Sequence, residues 1–427
     1  MGNKLFIKNA SELVTCAGTL PKTGREMNEI GIIKDGALII EHDTIAAVGT
    51  TLELSQSYDV QEMTVIDAAG KCVLPGFIDA HTHFVFAGDR SEEFSWRLKG
   101  MHYIDIMERG GGIMNTVRAT RKADAAALME LGRTRLNSML AMGVTTVEGK
   151  SGYGLDLGTE IKQLAVMQEL QQTHSIEIIP TFLGAHAIPP EYKGRGDEFI
   201  DYLITEVLPP VAEKKLAVFC DVFCEKGVFS VEESRKLLLA AQNLGIRGKI
   251  HADEIVQLGG AELAAEVGAI SAEHLLHISD QGIERMAETK TVGVLLPATA
   301  FSLREPFAPA RKMIDAGVPV ALATDFNPGS CYTSSVPLII ALAALSMNMS
   351  PAEIITALTA NAAFAVGAGD RIGSIEPGKQ ADIVILEEPS HIFLPYRVGM
   401  NLVETVVKKG RVVWQSSGKM PCEKDLG

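Results

Sequence analysis

The amino-acid sequence predicts a parallel α/β protein, a (β/α)8 barrel of the TIM type with a small β-sandwich domain built from both termini. Three observations predict it. Eight short apolar runs alternate with helical stretches through the middle of the 427-residue chain, the pattern of parallel strands joined by helices. Ionisable residues gather at the C-terminal ends of those runs, where barrel enzymes keep their reactive groups. The two ends of the chain differ from the middle and resemble each other, each being a series of short strands broken by turns.

Residues 1–71 hold strand-like runs at 5–7, 31–33, 37–40, 44–48 and 65–66, with Asp35-Gly36 as a hairpin turn between two of them. Barrel strands are expected at 73–81, 144–149, 176–185, 217–224, 248–253, 270–274, 291–296 and 319–324. Helical stretches at 125–141, 230–244 and 259–267 fall between them. Residues 371–427 return to the pattern of the N-terminal segment, with runs at 382–386, 405–407 and 411–414. The expected division is therefore 1–71 plus 371–427 for the small domain and 72–370 for the barrel. A chain of this length accommodates one large barrel and a small module.

Composition narrows the function classes. Hydrophobic residues make up 47% and charged residues 22% of the chain, as in ordinary globular proteins. A net charge of −14 argues against a nucleic-acid partner, which needs clustered basic residues. The apolar run at 337–345 has the length of a buried helix, since a membrane span needs about 20 residues. No secretory or lipidation signal is read at the start. Cys16, Cys72, Cys220, Cys224, Cys331 and Cys422 form no paired framework, which fits free thiols in a reducing cytoplasm. The glycine-rich run Arg109-Gly110-Gly111-Gly112-Ile113 lacks the Lys-Ser/Thr of a phosphate loop and is expected as a flexible loop near the barrel mouth.

The strand ends carry the chemistry. Strand one runs into His81-Thr82-His83, and alternate side chains of an extended chain converge on one face. His251 follows strand five and Asp325 follows strand eight. Three imidazoles and a carboxylate suit zinc or iron with room for a water, whose pKa such an ion lowers toward ~7. Asp325 could instead cap a helix. His274 and Glu254 are candidates for moving protons, because hydrolysis needs a base for water and an acid for the leaving nitrogen. Their bland alternatives are a hydrogen-bonded core histidine and a loop salt bridge. Arg90, Tyr153 and His186 are candidate substrate handles. Arginine offers a planar fork to a carboxylate, and tyrosine a rigid donor. Arg90 could otherwise pair with Asp89 or Glu92. Lys150 is expected in an ion pair, and Glu225 as a support that does not touch a metal. His42, His102, His174 and His391 are expected on the surface or in packing. The set implies hydrolysis of something small and anionic.

Laid out this way, the chain resembles the amidohydrolase superfamily over nearly its whole length, including Val73-Leu74-Pro75-Gly76-Phe77-Ile78-Asp79 and Gly378-Lys379-Gln380-Ala381-Asp382-Ile383-Val384. Narrower stretches are similar to the branch that opens the ring of 4-imidazolone-5-propanoate. They are Phe86-Ala87-Gly88-Asp89-Arg90, Lys150-Ser151-Gly152-Tyr153-Gly154-Leu155, His251-Ala252-Asp253-Glu254 and Ala323-Thr324-Asp325-Phe326-Asn327-Pro328-Gly329-Ser330. The resemblance implies hydrolysis of that cyclic amide to N-formimino-L-glutamate, with one zinc or iron ion per subunit of a homodimer. It implies His81, His83, His251 and Asp325 as metal ligands, and Asp325, His274 and Glu254 as catalytic groups. Substrate would be held by Arg90, Tyr153, His186, Glu254, Asn327, Gly329 and Ser330. One departure is Gly149, where an apolar residue would be usual. Aminohydrolases acting on other heterocycles share the barrel and metal set, but release ammonia and need no arginine aimed at a carboxylate.

Overall fold

The computed structural model describes residues 4–101 and 111–416. His102, Arg109, Gly110 and Cys422 lie outside them. Eight parallel strands follow one another around a barrel: Phe77–Asp79, Val144–Lys150, Glu177–Ala185, Phe219–Cys224, Arg247–Ala252, Ser271–His274, Val292–Leu295 and Val320–Leu322. The ring closes just beyond the strand ends. Thr82 bridges Phe326 in parallel, and the Asp79 carboxylate accepts from the Thr324 N–H at 3.0 Å and from its hydroxyl at 2.6 Å. Helices Ala125–Ala141, Val231–Asn243 and Gly260–Glu266 occupy the expected connections. The second starts at Ser230, whose hydroxyl accepts from the Glu233 N–H while Glu233 reaches back, a capping box that explains its boundary.

The expected first strand, 73–81, is two strands. Cys72–Pro75 pairs with the terminal strands Ile383–Leu386 and Glu12–Val14, and Phe77–Asp79 enters the barrel. The chain changes sheets at Gly76, where a Cβ would lie 2.4 Å from Thr145.

Both termini contribute to the remaining β-structure. One sheet orders Thr44–Thr50, Gly36–Glu41, Lys4–Ala10 and Thr64–Asp67. The other orders Arg411–Gln415, Val403–Lys408, Ile383–Leu386, Cys72–Pro75, Glu12–Val14 and Ile32–Ile33. Leu5, Ile7, Leu38 and Ile40 of the first pack on Val73, Ile383, Ile385 and Val407 of the second in one core, the arrangement of a sandwich. Asp35-Gly36 is not the hairpin the sequence suggested. Asp35 does take φ 47°, but Ile32–Ile33 pairs with Leu13 and Val14, whereas Gly36–Glu41 pairs across a turn at His42 with Thr44–Thr50. Gly36 serves close approach, since its Cβ would sit 2.3 Å from that of Leu13.

Gly149 is explained by packing. A Cβ there would lie 2.7 Å from the Phe84 ring and 3.0 Å from the Met167 sulfur, so the aromatic fills the space an apolar side chain would take. Helix Val336–Ser346 contains the apolar run and buries Ile339, Ile340 and Ala343. No helix among the described residues is long and apolar enough to cross a membrane.

Candidate active site

Closure of the barrel brings the two ends of the sheet together as a cradle. Beyond the first strand the chain stays extended: the Asp325 N–H donates to His81 O at 3.0 Å and the His83 N–H to Phe326 O at 2.9 Å. Thr82 turns outward to donate its hydroxyl to Glu148 O at 2.6 Å, so His81 and His83 share the opposite face. Their Nε2 atoms are 3.3 Å apart. Asp325 Oδ1 stands 3.4 Å from one and 3.5 Å from the other. His251, at the end of the fifth strand, places its ring centroid 4.6 Å from that of His81.

Ligand atoms of His81, His83 and His251 lie within 4.8 Å of one another, as do those of His81, His274 and Asp325. His251 Nε2 is buried without a hydrogen-bond partner. Buried polar atoms are almost always paired, and a divalent cation is the partner that imidazoles and a carboxylate in this arrangement fit. The donor set serves zinc and iron alike. His274, expected only as a proton carrier, stands within ligand reach as well.

Behind the histidines lies a layer of charge that the sequence only half disclosed. His81 Nδ1 contacts a Glu273 carboxylate oxygen, and His251 Nδ1 is 2.9 Å from Asp221 Oδ2. Lys150 Nζ reaches Asp221 at 2.7 Å, Glu273 at 2.8 Å and Glu148 at 3.1 Å. Lys249 joins Glu148 at 2.9 Å and Glu273 at 3.1 Å. All five are fully buried. Carboxylates behind ligating histidines fix tautomer and ring orientation and raise basicity. Burial alone would lower His81, but Glu273 and Asp325 lift it to about 9. Burial likewise opposes the Lys150 charge, yet Asp221, Glu148 and Glu273 hold its pKa above the ordinary lysine value. A third group of potential ligands, Asp221, His251 and Glu273, thus already has an ammonium between its carboxylates. Lys150 is ion-paired, as expected. Asp221 and Lys249 were missed; Asp221 interrupts the apolar strand FCDVFC, a signal that could have found it, whereas Lys249 lies in the mixed strand RGKIHA, where a lysine does not stand out.

Above the cradle stand the expected proton carriers. Burial, with the Asp325 and Glu225 carboxylates nearby, pushes Glu254 up to about 8, so it carries a proton at neutral pH. Its Oε1 is 3.6 Å from His274 Nδ1. Burial drives His274 well below the ordinary histidine value, and its backbone is held at φ 73°. Burial pushes Asp325 up, but His81 outweighs it and the carboxylate settles at about 2. Its Oδ2 accepts from the Thr299 hydroxyl at 2.7 Å. Glu225 accepts from the Ile255 N–H at 2.8 Å, steadying the loop that carries Glu254.

The substrate handles surround this centre. His186 stacks on His83 at 5.0 Å and 14°, and burial lowers it to about 3, so it is neutral. The buried Tyr153 ring is 5.8 Å from His83 and 5.4 Å from His186. Arg90 pairs neither with Asp89 nor with Glu92; its Nε donates to Glu93 Oε2 at 2.8 Å. Its guanidinium lies against Gly329, where a Cβ would meet Nη1 at 2.1 Å. Asn327 donates to Asp325 O at 2.8 Å and to Ser330 Oγ at 2.9 Å, while its Oδ1 accepts the N–H groups of Gly329 and Ser330 at 2.8 Å each. It shapes the loop on which Arg90 rests. A cavity of about 870 Å³ opens here, lined by Arg90, Phe94, Gly329, Ser330 and Tyr332. Away from the site, His174 faces Asn137 and His391 pairs with Glu12.

A closed parallel barrel with histidines and a carboxylate converging at its strand ends defines a metal-dependent hydrolase of the amidohydrolase superfamily. The amidohydrolase family model matches residues 228–413. The chain is 58% identical to an imidazolonepropionase of Clostridium tetani over 97% of this chain and 99% of the relative. It is 55% identical to one of Parabacteroides distasonis over 96% and 99%. The chain belongs to the imidazolonepropionase family. Similar folds, at low identity, include a zinc-bound adenosine deaminase from Xanthomonas campestris (TM-score 0.72, 19% identity, 99% of this chain and 96% of that one). Escherichia coli guanine deaminase is another (0.73, 16%, 97% and 99%).

Proposed function

We propose that this protein hydrolyses the ring carbonyl–nitrogen bond of 4-imidazolone-5-propanoate to give N-formimino-L-glutamate, a step of histidine degradation. The observation that carries the reading is the coincidence of a nitrogen–carboxylate cradle with Arg90 on one barrel face, in a chain 58% identical to a named imidazolonepropionase. His81, His83, His251 and Asp325 would hold one zinc or iron ion, with His274 within reach. Bound there, the ion supplies Lewis-acid polarisation of the ring carbonyl and an activated water.

The residues divide the remaining work. Water adds across the C–N bond: its oxygen ends on the carbonyl carbon as a new carboxylate, and a proton ends on the departing ring nitrogen. Asp325, held ionised, accepts a proton from water. Glu254, protonated at neutral pH, donates to the nitrogen. His274, neutral and beside Glu254, donates to the developing oxyanion, a term worth about 10²–10³ in rate. Arg90 takes the propionate, and Tyr153 and His186 enclose the ring. Asn327, Gly329 and Ser330 form the floor. Five buried cysteines without disulfides among the described residues support a cytoplasmic enzyme, and the family resemblance supports a homodimer. Arg90→Ala tests the orientation: KM should rise at least tenfold with kcat less affected, and an unchanged KM would remove Arg90 from carboxylate recognition.

A further inference from the structure

Arg90 is held from two sides, and neither hold is a contact with substrate. Glu93 lies one turn along helix Ser91–Leu98, and its side chain is only 8% exposed. Its Oε2 accepts from Arg90 Nε at 2.8 Å and from the Gly112 N–H at 3.0 Å, while Oε1 accepts from Asn115 Nδ2 at 3.1 Å. Three donors on two oxygens fix this carboxylate between two helices. On the other side, the guanidinium lies on bare backbone, since a Cβ at Gly329 would come within 2.1 Å of Nη1 and 3.0 Å of Cζ.

A guanidinium can grip a carboxylate through its Nη1/Nη2 end or through an edge that includes Nε. Here Nε is engaged, and among the described residues the Nη end has no hydrogen-bond or ion-pair partner, which leaves it for a ligand. Arginine side chains carry considerable rotamer entropy, and an unheld one would lose that freedom on binding substrate. Arg97 and Arg304 line the same cavity, yet Glu93 forms its ion pair with Arg90. The carboxylate therefore distinguishes one arginine among three.

We propose that Glu93 is the positioning residue of substrate recognition: it locks Arg90 so that the Nη end meets the propionate, and thereby sets the preference for a ring with an anionic tail. This rests on the reading of Arg90 as the propionate handle. The test is steady-state kinetics of the metal-loaded enzyme and its Glu93→Ala, Glu93→Gln, Glu93→Asp and Arg90→Gln variants. Each is assayed on 4-imidazolone-5-propanoate and on 4-imidazolone without the side chain.

Glu93→Ala should raise KM for the propanoate about 10-fold or more, with kcat within about 3-fold, and leave kinetics on the bare ring unchanged, because a loosened handle affects binding before chemistry. Glu93→Gln keeps an acceptor for Nε and should recover most of the loss. Glu93→Asp, one methylene shorter, should not, and this pair carries the test if the alanine variant does not fold. Glu93→Ala combined with Arg90→Gln should be no worse than Arg90→Gln alone, since residues acting as a unit are non-additive. An unchanged KM in Glu93→Ala beside a raised one in Arg90→Gln would overturn the Glu93 role alone. An unchanged KM in Arg90→Gln would overturn both it and the Arg90 reading. No turnover by the unaltered enzyme would overturn the functional reading and this proposal with it.

Discussion

The barrel carries two polar layers one on top of the other, and they are built to opposite rules. The upper layer, His81, His83, His251 and Asp325, has ligand atoms turned toward one point, with His251 Nε2 left unpartnered. The lower layer, Glu148, Lys150, Asp221, Lys249 and Glu273, consists of ion pairs at 2.7–3.1 Å with no exposure at all. Chemistry needs open coordination and tolerates strain, as in Asp325 at φ 52° and His274 at φ 73°. Orientation needs closure. His81 and His251 are thus held from beneath, by Glu273 and Asp221.

The upper layer gives the largest expected effect. Asp325→Ala should lower turnover at least about 10³-fold and release the metal, while the Tm of the metal-free protein moves by no more than about 3 °C, because Glu273 remains beside His81 when the Asp325 carboxylate is gone. Metal analysis and calorimetry on one sample check this. Full metal content in that variant would show that Asp325 is no ligand.

From below, Asp221→Asn and Glu273→Gln each remove one of the three carboxylates around the buried Lys150. Losing one hydrogen-bonded carboxylate of this buried network costs about 1–3 kcal/mol, and loss of the carboxylate behind a ligating histidine weakens metal binding about 10–100-fold. Denaturant unfolding and metal titration should therefore both move, unlike in Asp325→Ala. If stability alone fell, the lower layer would be scaffolding without influence on the cradle.

A third charge cluster, at the seam with the small sheets, extends the contrast to a region without chemistry. Glu177 opens the third barrel strand and pairs with Lys408 at 3.3 Å and Arg371 at 2.7 Å. Burial raises its pKa, but Lys408 and Arg371 bring it down to about 2. A lowered folded-state pKa contributes stability above the unfolded value near 4.5 and loses it as pH falls toward 2. Glu177→Gln should cost on the order of 2–3 kcal/mol at pH 7, a cost that shrinks between pH 4.5 and pH 2, with kcat unchanged. Urea melts at both ends of that range decide it. The smallest effect belongs to Gly149→Ala, about 1–2 kcal/mol from overpacking against Phe84 and Met167, read as a drop in Tm.

The upper layer was legible in the sequence because its residues end strands, where an apolar run gives way to His-x-His or Thr-Asp-Phe-Asn. The barrel was legible through the alternation of runs and helices. The lower layer was not, because Asp221 and Lys249 sit inside strands and only the closed ring shows that they face the axis. Glu148, Lys150 and Glu273 stand out as strand-end groups, but their mutual pairing is a fact of three dimensions. Asp35-Gly36 misled because a local turn signal does not say which sheet each flanking strand joins. The Arg90 partner was misassigned for a related reason: Asp89 and Glu92 are nearer in sequence, but helix geometry brings Glu93 to the guanidinium.

The most direct test is mass spectrometry of the products formed from 4-imidazolone-5-propanoate by the purified, metal-loaded protein. The expected result is a gain of one water, about 18 Da, without free ammonia, and loss of that product when a chelator removes the metal. Absence of the hydrated product, or ammonia released from another heterocycle instead, would contradict it.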